Sequence, residues 1–139
     1  MRILITGGSG FVGQLLCRYL QERGHALSVV SRSPDKARRQ LPSGCDIRQR
    51  VLDFTDTSPE AIVNLAGESI AGRRWSEAQK QRLRESRLTI TQDLVTLCSK
   101  LPTPPEVMVS GSAMGYYGDQ GHRQVDEDTE PHDEFAHRL

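Results

Sequence analysis

The chain has 139 residues, 36% of them hydrophobic and 26% charged, and 18 Lys and Arg balance 18 Asp and Glu to a formal net charge of zero. These figures fit one globular domain and exclude disordered and fibrous classes; with aromatic residues at only 5%, the core must be largely aliphatic. Neutrality also argues against a nucleic-acid or membrane-surface binder, and no apolar run reaches the roughly 18 residues of a membrane span.

The zero is unevenly built. Residues 1–100 hold 16 basic and 10 acidic side chains, and residues 101–139 hold 2 and 8, so the two parts carry +6 and −6. Cys17, Cys45 and Cys98 are odd in number and widely spaced, which fits reduced thiols better than a disulfide framework or a zinc site. The N-terminus passes from Arg2 straight into an apolar stretch and glycines with no signal-peptide pattern, so the expected compartment is the cytoplasm.

In chain order, Arg2–Thr6 is a short apolar run that meets a glycine cluster, the pattern of a buried parallel strand. Phe11, Val12, Leu15, Leu16, Tyr19 and Leu20 recur at helical spacing, and Gly24 stands where that helix should end. Ala26–Val30 reads as a second strand, followed by Ser31-Arg32-Ser33-Pro34 and a short basic segment with Lys36, Arg38 and Arg39. A weaker strand is expected at 47–52 and a stronger one at 61–66, ending at Gly67.

Ser76 with Gln79 three residues on resembles a capping box. Leu83, Ile90, Leu94, Leu97, Cys98 and Leu101 then mark one face of a helix of about seven turns closed by Pro102. Val107–Val109 is a fifth strand, delivering Ser110-Gly111-Ser112 to its carboxyl end, and Pro131–Leu139 reads as the beginning of a further helix. Strands separated by helices imply an α/β fold of the Rossmann type, a doubly wound parallel sheet in the order 3-2-1-4-5.

The chemistry concentrates at the ends of these strands. Gly7, Gly10 and Gly13 lie between the first strand and the first helix, where one glycine permits a tight turn, one admits a pyrophosphate and one lets helix and strand pack closely. The second strand ends on Arg32 where NAD-preferring folds carry an acid. A guanidinium there would grip a 2′-phosphate with Lys36 or Arg38 adding charge, so NADP is expected over NAD; the competing reading is a solvated basic turn.

Three tracts carry a resemblance: Thr6-Gly7-x-x-Gly10-Phe11-x-Gly13, Asn64-Leu65-Ala66-Gly67, and Ser110-Gly111-Ser112-Ala113-x-Gly115-Tyr116-Tyr117-Gly118. Together they resemble the extended short-chain dehydrogenases/reductases. Gly67-Glu68-Ser69-Ile70, Arg73-Arg74-Trp75 and Ser86-Arg87 narrow the likeness to an atypical sugar-nucleotide-epimerase-like family within the NAD-dependent epimerase/dehydratase superfamily.

The resemblance implies a dinucleotide cofactor, with Gly7, Gly10 and Gly13 in the pyrophosphate loop and Phe11 and Val12 offering backbone amides. It puts Arg32 beside the adenosine ribose and Asp53 against the adenine, where the alternative is a plain turn acid. It sets Asn64, Leu65, Ala66 and Gly67 beneath the nicotinamide-side ribose with Ser110 alongside, and makes Ser112 the hydroxyl that bonds the substrate. Tyr116 is a candidate to face the nicotinamide, its competing role being packing. Arg73, Arg74 and Trp75 suit either a phosphorylated or planar substrate or a simple loop anchor.

One departure stands out. By spacing, the Tyr-x-x-x-Lys pair of the superfamily should fall near Phe135 and Leu139, which do no acid/base work, and four residues beyond Tyr116 and Tyr117 stand Gln120 and Gly121. Two functional readings result: an NADP-dependent epimerase, dehydratase or oxidoreductase acting on a sugar nucleotide or related small molecule, or a catalytically silent dinucleotide-binding module with a sensing or assembly role. Residues 1–139 are expected to be the cofactor-binding portion of a longer protein, ending inside the helix where the catalytic pair would lie. Two readings stand for the outer face of the 76–100 helix: a homodimer contact, or an ordinary solvated surface. His25, His122, His132 and His137 lack metal-ligand spacing, so no metal is expected.

Overall fold

The computed structural model describes residues 1–70 and 74–138. The chain runs β1 (Arg2–Thr6), α1 (Phe11–Glu22), β2 (Ala26–Val30), α2 (Pro34–Gln40), β3 (Asp46–Arg48), a 3-10 turn at Val51–Phe54, β4 (Ala61–Asn64), α3 (Glu77–Lys100), β5 (Val107–Ser110) and a second 3-10 turn at Met114–Tyr116. All strand pairs are parallel and the order is β3-β2-β1-β4-β5, the expected doubly wound arrangement.

The register aligns the carboxyl ends of four strands. Thr6 pairs with both Val30 and Asn64, and Asn64 pairs with Ser110, so β2, β1, β4 and β5 end flush at one edge and release their loops together. Two apolar layers sandwich the sheet because strand side chains alternate. Ile3 and Ile5 pack with Cys17, Leu27, Val29 and Ala37 under α1 and α2. Leu4 and Ile62 pack with Phe54, Leu94 and Leu97 under α3. Each fully buried aliphatic side chain of this set contributes about 1.5–3 kcal/mol relative to exposure.

Local chemistry sets the element ends. Gly24 closes α1 with φ +78° while its amide bonds Gln21. The Ser76 hydroxyl caps α3 by accepting the Gln79 amide at 3.3 Å. The strand expected at 47–52 stops at Arg48, because Arg50 and Asp53 bond each other reciprocally and wind Val51–Phe54 into a 3-10 turn that turns Val51 and Phe54 inward. The expected strand at 61–66 stops at Asn64, with Leu65 making one further bond to β1 as its amide donates to the Thr6 carbonyl.

Two expectations need correction. Of the apolar set along α1, Phe11 is 87% exposed and Val12, Leu15 and Tyr19 are exposed too; the packed face is Gly13, Cys17 and the half-buried Leu16 and Leu20. Among the described residues the segment from Pro131 begins no regular helix: Phe135–Arg138 is turn, with the Arg138 amide bonded to the Glu134 carbonyl, and Leu139 lies outside the described residues. β5 forms one edge of the sheet, with Val107, Met108 and Val109 exposed. Among the described residues, no helix is long and apolar enough to cross a membrane.

Candidate functional site

An open cleft of about 670 Å³ lies over the flush carboxyl ends of β1, β2 and β4. Its size is within the range of small-molecule and cofactor sites, and its position is the crevice where the strand order reverses on either side of β1. Three segments wall it: the glycine turn after β1, the Ser31–Lys36 stretch after β2, and the Leu65–Glu68 loop after β4, faced by the first half of α3.

The glycine turn is shaped by contacts no side chain would permit. Gly7 has φ +70°, and a Cβ there would sit 2.5 Å from the Leu65 carbonyl oxygen. A Cβ on Gly13 would sit 2.3 Å from the Gly7 carbonyl, so α1 packs directly on the turn. Gly10 has ordinary extended φ and N-caps α1; its amide bonds the Gly7 carbonyl at 2.9 Å. No side chain caps α1 and its first turn carries no acid, so the amides of Phe11, Val12 and Gly13 leave the positive end of the helix without an internal anion. These features leave an open cradle of backbone amides of the kind that can receive an anion, with no Cβ atoms to fill it.

At the other end, Arg32 and Lys36 line the cleft and neither makes an ion pair among the described residues. Arg38 does not join them: it pairs with Asp35 at 2.7 Å and donates to the Ile47 carbonyl, turning its charge toward β3. Of the two cations expected to add charge beside Arg32, Lys36 lines the cleft and Arg38 does not.

Asp53 stands away from the cleft lining. Its carboxylate accepts the Arg50 amide at 3.0 Å and pairs with the Arg50 guanidinium at 3.1 Å, while Arg48 binds its carbonyl. This is the turn-acid arrangement, and it leaves the carboxylate already engaged where an adenine contact was expected.

Asn64 is 6% exposed and its side chain is spent inside the protein. It accepts the Thr6 hydroxyl at 2.6 Å and donates to Ser110 Oγ at 3.3 Å and Thr91 Oγ1 at 3.4 Å. Asn64 and Ser110 thus tie β1, β4, β5 and α3 together below the cleft. Leu65, Ala66 and Gly67 do line it, with the Ala66 amide held on Thr6 Oγ1 at 3.3 Å.

Ser112 and Tyr116 lie beyond β5 and outside the lining of this cleft. Ser112 is exposed, and the Tyr116 ring packs edge-on against Tyr117 and 5.0 Å from the His137 ring. Arg73 falls outside the described residues. Trp75 donates from its indole to the Ile70 carbonyl at 2.9 Å and meets Phe135 edge-on at 5.2 Å, closing the loop as an anchor does; Arg74 is exposed beside it. Among the described residues no group of His, Cys, Asp and Glu is arranged to hold a metal.

The α3 wall was not anticipated. Arg82, Glu85, Ser86, Thr89 and Ile90 all line the cleft, together with Glu68 from the preceding loop. Their spacing of three and four residues on one helix face was the available signal, but the apolar marks at Leu83, Leu94 and Leu97 report the adjoining buried face, with Ile90 on the border between the two.

Comparison with known proteins bears on the whole chain. The family model described as "NAD dependent epimerase/dehydratase family" matches residues 3–138. The Bos taurus "Epimerase family protein SDR39U1" is 37% identical over 131 residues, covering 93% of this chain and 42% of that protein. Among solved structures, that of human epimerase family protein SDR39U1 (isoform 2) with NADPH superposes with a TM-score of 0.80 at 34% identity, covering 99% of this chain and 45% of the other. A nucleoside-diphosphate sugar epimerase from Corynebacterium glutamicum gives a TM-score of 0.76 at 30% identity, covering 99% of this chain and 28% of the other. The chain thus spans less than half the length of these relatives.

Proposed function

This chain belongs to the NAD dependent epimerase/dehydratase family, and from that premise we propose that it binds a nicotinamide dinucleotide in the cleft over β1, β2 and β4, with NADP(H) preferred. The observation that carries the reading is the joining, in one cleft, of a glycine-turn helix end that no side chain caps with Arg32 and Lys36, which make no ion pair among the described residues. The first supplies amides and dipole to a pyrophosphate, and the second supplies cations to a 2′-phosphate. The human relative described with NADPH supports the same choice.

For the protein as a whole we propose an epimerase, dehydratase or oxidoreductase chemistry on a sugar nucleotide or a related small molecule, a class supported by the nucleoside-diphosphate sugar epimerase likeness. The bound dinucleotide would supply the hydride chemistry. This chain's residues hold it: Gly7, Gly10 and the first amides of α1 at the pyrophosphate, Arg32 and Lys36 at the adenosine phosphate, and Leu65 to Gly67 along one wall. Ser112 is the hydroxyl proposed to meet the substrate.

A second reading, a silent dinucleotide-binding module, is favoured by one observation: Phe135 occupies the position expected for the tyrosine acid/base and packs on Trp75. Hydrogen exchange separates binding from its absence. NADPH should slow exchange at amides 7–13 and 65–68, and protection elsewhere alone would overturn the proposed site. Loss of hydride transfer in Ser112→Ala with NADPH affinity intact would exclude the silent reading.

A further inference from the structure

Arg87 lies behind the cleft wall and is not among its lining residues. Its guanidinium is nonetheless laid against Gly67: a Cβ on that glycine would sit 3.1 Å from Arg87 Cζ and 3.2 Å from Nη2. Nη2 donates to the Glu68 carbonyl at 3.3 Å and Nη1 to the Leu83 carbonyl at 3.0 Å. The half-buried cation has no carboxylate partner among the described residues; it is spent on carbonyls.

Its neighbour completes a clamp. Ser86 Oγ accepts the Glu68 amide at 3.0 Å, and the buried Gln79 donates to the Glu68 carboxylate at 2.9 Å. Glu68 is therefore held by its amide, its carbonyl and its side chain, all from α3. At the other end of the loop, Thr6 holds the Leu65 and Ala66 amides, and the Leu65 carbonyl lies where a Cβ on Gly7 would be. The four residues from Leu65 to Glu68 are thus hydrogen-bonded at both ends, to Thr6 on one side and to α3 on the other.

We propose that Arg87 is a positioning residue for the dinucleotide: acting through Gly67 and Glu68, it fixes the height of the 65–68 wall against the glycine turn. This rests on the cleft being the dinucleotide site. Gly67 is the natural probe, because its φ is not positive, yet the three atoms nearest an added Cβ all belong to the guanidinium.

The test is a titration of NADPH, read by nicotinamide fluorescence, into the wild-type protein, Arg87→Lys, Arg87→Met, Gly67→Ala and the Gly67→Ala/Arg87→Met double variant, each checked by thermal melting. Arg87→Met should weaken NADPH about tenfold, as expected for loss of charge-assisted hydrogen bonds, with Arg87→Lys between it and wild type. Gly67→Ala should weaken binding about threefold with Arg87 present and have no effect once Arg87 is gone, a non-additivity in affinity that a general loss of stability would not produce.

Unchanged affinity in Arg87→Met, or equal Gly67→Ala effects in both backgrounds, would overturn the positioning role while leaving the cleft assignment intact. Failure of the wild-type protein to bind NADPH would overturn both. If Arg87→Met does not fold, Arg87→Lys and Gly67→Ala decide: affinities equal to wild type in both refute the proposal.

Discussion

The Thr6 hydroxyl donates to the side-chain oxygen of Asn64 over 2.6 Å, with Thr6 fully buried and Asn64 nearly so. Thr6 also accepts the Ala66 amide, so one hydroxyl joins the last residue of β1 to the last of β4 and to the loop that walls the cleft. Thr6→Val keeps the shape and deletes the hydroxyl, leaving the Asn64 oxygen and the Ala66 amide without it. Urea unfolding should show a loss of about 1–3 kcal/mol; a loss near zero would mean that the network is not needed to hold the strand ends.

Gly7→Ala combines a left-handed φ of +70° with a Cβ 2.5 Å from the Leu65 carbonyl, a backbone contact that cannot swing away. The cradle should open and NADPH affinity should fall by more than about tenfold, with a stability loss above about 1 kcal/mol. Gly24→Ala is the control, since Gly24 shares a positive φ but has open space around it. It should cost stability of similar origin and leave NADPH affinity unchanged.

Cys17 is buried under the glycine turn, and burial, with a smaller contribution from nearby Cys45, pushes its thiol up from 9.0 to about 11. The folded state therefore prefers the neutral thiol. Its contribution to stability is complete below the unfolded thiol's titration and is lost as pH rises from about 9 through about 11. Iodoacetamide with mass spectrometry at pH 8 should leave Cys17 unlabelled in the folded protein and labelled in urea; rapid native labelling would contradict its burial.

At the acid end, hydrogen bonds and partner charges hold several exposed carboxyls below their ordinary range: Asp56 by Arg48, Glu60 by the Arg2 amide, Glu77 by Lys80, and Asp133 by Arg138. Depressed carboxyls stabilise the fold above their unfolded titration and lose that contribution as pH falls through the folded values. The melting temperature should therefore decline below about pH 4, and only shallowly, because these pairs are solvated and salt-screened. A steep loss between pH 5 and 6 would point to a different group.

The free edge at β5 exposes Val107, Met108 and Val109 with no charge among them. Light scattering of the 139-residue chain should show concentration-dependent association that Val109→Lys reduces, because an edge lysine resists strand pairing. Unchanged association in that variant would move the contact to another surface, the outer face of α3 with Leu88 and Val95 being the next exposed apolar stretch.

Much of this fold was legible because its strands are short apolar runs cut by glycines and its crossovers are helices with marked ends. Order 3-2-1-4-5, the glycine turn, the Ser76 cap and the Arg32 position all follow from local pattern. What was hidden depends on tertiary pairing. Asn64 read as a ligand contact because its place in the motif was visible, while its partners Thr6, Thr91 and Ser110 are distant in sequence. Asp53 read equally as an adenine contact or a turn acid, and only the fold, which brings Arg50 within reach, shows the turn-acid arrangement. On α1, apolar residues lie on both faces, so periodicity alone did not say that Cys17 would pack and Phe11 would not. The clamp of Ser86 and Arg87 on Glu68 was present as motif letters without a role, since only the folded chain brings position 68 against positions 86 and 87.

The proposed reading of a 2′-phosphate by Arg32, in a cleft that holds a nicotinamide dinucleotide, is open to a direct check. Side-by-side fluorescence titrations of NADPH and NADH into the wild-type protein and Arg32→Ala test it most directly. NADPH should bind tighter than NADH by about tenfold or more in wild type, in line with charge-assisted phosphate bonds, with near-equal affinities in Arg32→Ala through loss on the NADPH side alone. Equal affinities in the wild-type protein, a preference that survives in Arg32→Ala, or no binding of either nucleotide would contradict it.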